Sequence, residues 1–171
     1  MTVYVALLRA INVGGTGRLP MKDLAALCSG LGFDNVRTYI QSGNVVFESA
    51  LAEPKVKARL EKALEAELGK PSAAILRSAE DLAAVVKRNP FPGAAPNQLL
   101  IVFLDEAPVK GALADARIPG REVMKLDGRE LFIHFPDGMG SSKLRVPFAA
   151  TGTGRNLNTV VKLAEMAKAL G

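Results

Sequence analysis

Three polar segments interrupt otherwise apolar stretches of this chain, and they hold the residue types that could bind an anion. They are LLRAINVGG at 7–15, TYIQSGNVVF at 38–47 and TGTGRNLNT at 151–159. Arg9 and Arg155 would supply fixed positive charge. Asn12, Gln41, Ser42, Asn44, Asn156, Asn158 and Thr159 would supply amide and hydroxyl groups. Gly14 and Gly15 would let the backbone approach a ligand, or, with Gly17 and Gly43, would simply permit positive φ in loops. An unpaired buried polar group costs about 1–3 kcal/mol, so these segments either join an internal hydrogen-bonded network or face a ligand. The third segment is expected to open the last helix. Thr153 or Asn156 would cap it, and Arg155 would add charge where free N–H groups favour an anion.

Other chemistries find little support. Gly152-Thr153-Gly154 is a lone G-x-G with no acidic residue about 20 positions on, so a dinucleotide fingerprint is absent, and no P-loop pattern occurs. His134 is the single histidine and sits in the strand-like LFIHF, where a structural role is expected. Cys28 lies on a helical apolar stripe and reads as a packed thiol. One Cys and one His cannot make a metal centre, every nucleophile–base scheme would have to use His134, and no cofactor is implied. The pair Glu80 and Asp81 fits the first turn of a helix, with Ser78 as its cap.

The elements that must position the three segments follow from periodicity and punctuation. Residues 3–9 form an apolar run of strand formers. A Gly-rich loop at 12–20 leads into a helix carrying Leu24, Leu27, Cys28 and Leu31, which Gly32 closes. Strands at 36–41 and 44–48 flank Ser42-Gly43, a hairpin signal. A helix at 54–68, ended by Gly69, and a strand at 73–77 complete the order β-α-β-β-α-β. Further on stand a helix from about 79 to 88, a Pro-rich stretch at 89–96, and the apolar strand 98–104. A short helix at 108–117, a hairpin around Asp127-Gly128, an irregular stretch with FPDGMGSSKL and a last helix at 156–170 follow. The expected fold is α+β: two tandem ferredoxin-like alpha-beta plaits, 1–78 and 79–171, the second incomplete because no clear final strand is visible. In such a plait the first and third strands are neighbours, so Arg9 and Asn12 should approach Gln41 and Asn44.

The whole chain narrows the partners. It has 171 residues, 49% hydrophobic, with a net charge of +5, so a real core is available and the preference for anions is mild. No run of five or more basic residues occurs, and aromatics are 5% with no Trp. Nucleic-acid binding on a sheet face is therefore the weaker alternative, with Tyr39 as its stacking residue. One Cys excludes an intrachain disulfide and fits a reducing cytoplasm. The N-terminus lacks a basic region and cleavage site, and no apolar run reaches the length of a membrane span.

LLRAINVGG, PMKDL, TYIQSGNVVF and TGRNLNTVVKL together resemble the bacterial family called domain of unknown function 1697, across roughly 3–163. The resemblance implies two alpha-beta plaits in tandem and no known mechanism. It carries over to Arg9, Asn12, Gly14 and Gly15, to Gln41, Ser42, Gly43 and Asn44, and to Arg155, Asn156, Asn158 and Thr159. Ala10 stands where the family usually has Gly, and Leu157 where a Trp is common. Three readings follow: a binding protein for a phosphate-bearing small molecule or nucleotide, a nucleic-acid-binding plait, or a structural or interaction module without a ligand.

Overall fold

The computed structural model describes residues 1–9, 19–40 and 43–171. Asn12, Gly14, Gly15, Gln41 and Ser42 lie outside the described residues. The fold is mixed α+β, with two four-stranded antiparallel sheets and, among the described residues, four α-helices. The backbone divides into two compact units, Met1–Ala83 with Leu163–Gly171, and Ala84–Lys162.

The first sheet is built from β1 (Thr2–Leu8), β2 (Asp34–Thr38), β3 (Asn44–Ser49) and β4 (Ala74–Ser78), in the order β2-β3-β1-β4. From Val3 to Leu8 β1 is buried on both faces, which is why it lacks a polar alternation. Tyr4, Ala6 and Leu8 share one face with Val45, Phe47, Ala74 and Leu76. That face packs under α1 (Met21–Gly30) and α2 (Glu53–Leu68) through Leu24, Cys28, Val56, Leu60 and Leu64. The i, i+4, i+8 spacing of Val56, Leu60 and Leu64 gives α2 its buried stripe. Gly69 ends the helix at φ 72°, its N–H donating to Glu65 O at 2.8 Å. Phe33 stacks on Phe47 with centroids 4.4 Å apart. The other face carries Val3, Val5, Leu7, Val46 and Ile75, all buried, and with them the fully buried Arg77. Cys28 is enclosed in the core, and burial pushes its thiol up to about 12.

β2 is shorter than the expected 36–41 strand. It ends at Thr38, a register shift separates Asp34 from Arg37, and Asn35 and Ile40 take positive φ of 51° and 49°. Positive φ at a β-branched residue breaks a strand, so Tyr39 lies beyond its end.

The second sheet has β5 (Leu99–Phe103), β6 (Val123–Asp127), β7 (Glu130–His134) and β8 (Thr153–Asn156), in the order β6-β7-β5-β8. The expected missing final strand is thus present, and it is β8. Val102, Leu104, Leu131, Ile133 and Phe135 form a core on one face, with Leu144, Val146 and Phe148 packed against it. Leu99, Ile101, Phe103 and Phe132 are buried on the other face. Asp127 and Gly128 close the β6–β7 hairpin, Gly128 at φ 60°. The expected helix at 108–117 is reduced to a 3-10 turn over Ala112–Asp115, and a second 3-10 turn spans Pro147–Thr151. α3 (Ala79–Lys87) starts as expected, with Asp81 N donating to Ser78 Oγ at 3.1 Å. α4 (Leu157–Leu170) is the last helix.

Candidate functional site

In the first unit, Leu7 pairs with Asn44 across β1 and β3, so the end of β1 meets the start of β3. Leu8 N donates to Gly43 O at 2.8 Å, and Arg9 N to Ala73 O at 3.0 Å. These two bonds fix the backbone from which the exposed Arg9 side chain leaves the sheet. Asn44 is fully buried. Its Nδ2 donates to Tyr39 O at 2.9 Å, and its own carbonyl accepts from Tyr39 N at 3.1 Å. Asn44 therefore closes the link between β2 and β3, with Gly43 at φ 86°. Arg9 thus follows by two positions the β1 residue that pairs with Asn44, and the expected partners Asn12 and Gln41 lie outside the described residues.

The third segment, in the second unit, differs from expectation. Thr153 and Arg155 lie on β8, opposite Phe103 and Ile101, and not in the first turn of α4. Arg155 is 7% exposed, and its Nη1 donates to Thr153 Oγ1 at 2.6 Å and to Gly154 O at 2.9 Å. Burial pushes its guanidinium down to about 10, which leaves it protonated at neutral pH. The cap of α4 is Asn156, whose Oδ1 accepts from Thr159 N at 3.0 Å. Thr159 is buried and Asn158 exposed.

The two glycines of the G-x-G have a packing reason. A Cβ at Gly152 would stand 2.5 Å from Phe103 O, and one at Gly154 would stand 3.0 Å from Leu100. They let β8 close on β5, where the segment was expected to open the last helix.

Two further groupings in the second unit escaped the sequence reading. Arg88 binds Asp127 at 2.5 Å and the buried Glu130 at 2.6 Å, tying the residue after α3 to the β6–β7 hairpin. An open cleft of about 260 Å³ is lined by Gly138, Ser141 and Lys143 and by two acids, Glu122 and Asp137. Ser142 Oγ donates to Glu122 Oε1 at 2.6 Å and holds that carboxyl below its usual range. Arg121 does the same for Asp137 through a two-point pair. Alternation of the partly buried Leu144, Val146 and Phe148 with outward Lys143 and Arg145 was the sequence signal available for this surface. His134 is half-buried on β7 with its ring 5.9 Å from Phe91, a packing environment. Among the described residues no group of three or more His, Cys, Asp or Glu could hold a metal ion, and no helix is long and apolar enough to cross a membrane.

Residues 1–132 match the family model described as a protein of unknown function, DUF1697. No match is found among curated proteins. The chain is similar to a solved structure, the conserved bacterial protein SP0830 from Streptococcus pneumoniae. The TM-score is 0.77 at 26% identity, over 97% of this chain and 98% of that one.

Proposed function

The chain belongs to the DUF1697 family, and from that premise we propose that it binds a phosphate-bearing small molecule or nucleotide where β1 ends and β3 begins. The observation that carries the reading is Arg9. It is an exposed cation set directly after a strand buried from Val3 to Leu8, with its backbone held on both sides. Arg9 would neutralise the anion. Asn12, Gln41 and Ser42, with Gly14 and Gly15, belong to the two segments that flank this corner in sequence and would orient it. Asn44 would act by fixing the link that carries Gln41 and Ser42. No catalytic step is assigned.

A thermal-shift screen tests the reading. A nucleotide or sugar phosphate at 100 times its Kd for this corner should stabilise the chain by about 2.7 kcal/mol, and Arg9→Gln should remove that contribution. Silence of every phosphate compound at saturation would sink it.

A second reading, a module whose polar residues serve only the fold, is favoured by the bonds of Asn44, Arg155 and Asn156. Under either reading each unit is taken as a ferredoxin-like plait. The strand orders β2-β3-β1-β4 and β6-β7-β5-β8 support this. Nucleic-acid binding on a sheet face gains nothing from the burial of both faces of β1 and from Tyr39 lying past the end of β2.

A further inference from the structure

The net charge is unevenly shared. The second unit has eleven Lys and Arg against seven Asp and Glu, and the first has eleven against ten. Several cations of the second unit are already engaged: Arg88 with Asp127 and Glu130, Arg121 with Asp137, Arg155 within β8. Arg117 and Arg145 are not. They face each other across an isolated antiparallel bridge, Arg117 N donating to Arg145 O at 2.8 Å and Arg145 N to Arg117 O at 3.0 Å. Residues bonded in this way have Cα atoms about 5.5 Å apart, and their side chains leave on the same side.

Both arginines are exposed, and among the described residues neither guanidinium has a hydrogen-bond or ion-pair partner. Like charges directly opposite destabilise a strand pair, so an anion between them would relieve a cost built into the fold. Lys143 adds a third cation on the same outward side, because Leu144, Val146 and Phe148 point into the core. Lys143 also lines the cleft that holds Ser141, Glu122 and Asp137.

We propose that this surface is a second anion site, one for a sugar phosphate or another phosphorylated polyol. Arg117, Arg145 and Lys143 hold the phosphate, and Asp137 and Ser141 accept hydrogen bonds from the hydroxyl groups. Planar guanidinium groups suit a phosphate's oxygens. A carboxylate paired with arginine keeps lone pairs for a sugar hydroxyl. Glu122 and Asp137 are both ionised near neutral pH, so a second phosphate in the cleft would be repelled and a monoester is favoured over a bisphosphate.

Amide spectra of the full chain, titrated with glucose 6-phosphate, glucose and a short single-stranded RNA, test the proposal. Glucose 6-phosphate should move the amides of Arg117, Ser141, Lys143 and Arg145 saturably, and glucose alone should not. The double variant Arg117→Gln, Arg145→Gln should weaken binding about tenfold or more, since two charge-assisted bonds are lost. Its unliganded melting temperature should match or exceed that of the parent, which separates a lost site from a lost fold. Arg9→Gln should leave this binding intact. Absence of saturable movement at these residues with millimolar glucose 6-phosphate overturns the proposal. So does a response to RNA alone. Movement confined to the end of β1 overturns it too, while leaving the reading of the first sheet in place.

Discussion

At the middle rung of the first sheet stand Arg37, Val46, Val5 and Arg77; at the middle rung of the second stand Lys125, Phe132, Ile101 and Arg155. Each rung starts with an exposed cation on an outer strand, crosses two buried apolar residues, and ends on a buried arginine at the opposite edge. The connections differ. α1 and α2 link the strands of the first sheet, whereas 3-10 turns stand in the corresponding links of the second. The same strand order thus arises with and without helical crossovers. What the sheets share is an apolar centre and an arginine whose long stem packs inside while its head finds backbone oxygens: Arg77 Nη1 reaches Leu76 O at 2.8 Å, as Arg155 Nη1 reaches Gly154 O at 2.9 Å.

The comparison breaks most readily at the apolar centre. Phe132→Ala should cost about 3–5 kcal/mol in urea unfolding, against about 2 for Val46→Ala, because the larger ring leaves the larger cavity. Equal losses would show that the two rungs do not carry the same weight. Next comes the buried arginine. Arg155→Ala should cost about 1–3 kcal/mol by stranding its acceptors, whereas the exposed Arg9→Ala should stay within about 0.5. A reversed order would mean that Arg155 is kept for something other than the fold. Gly152→Ala probes how β8 closes on β5. The added methyl meets a backbone oxygen that cannot step aside, so a loss of about 1–3 kcal/mol is expected, read as a lowered melting temperature.

The smallest effect belongs to the exposed Arg121–Asp137 pair, whose side chains are 72% and 59% accessible. Arg121 lowers the Asp137 carboxyl from its ordinary value of 3.8, so the pair's contribution is present above that value and is lost as pH falls through the lower folded one. Asp137→Asn should flatten this acid limb slightly, with a correspondingly small loss of stability near neutral pH and none at low pH.

Much of this was legible without coordinates. Alternating apolar residues, glycines at helix ends and the Asp127-Gly128 turn act over a few residues, so α1, α2, the β6–β7 hairpin and the Ser78 cap could be read locally. The meeting of β1 and β3 near Arg9 and Asn44 was legible too, because strand order implies neighbours. β2 was overrun at its end because positive φ at Ile40 has no sequence signature. β8 was missed because Thr153-Gly154-Arg155-Asn156 offers no apolar alternation.

The amino-acid sequence by itself determined the family, the α+β class and the local starts and stops of most elements, since those depend on short-range sterics, capping and periodic burial. Only the tertiary structure decided that the last polar segment is a strand. Its two glycines and its arginine become intelligible against the edge of β5, a partner about fifty residues away in sequence, where close approach excludes a Cβ and burial demands hydrogen bonds. The pairing of Arg117 with Arg145 is of the same kind: two unremarkable cations in the chain, made a single charged surface by a bridge that no local pattern announces.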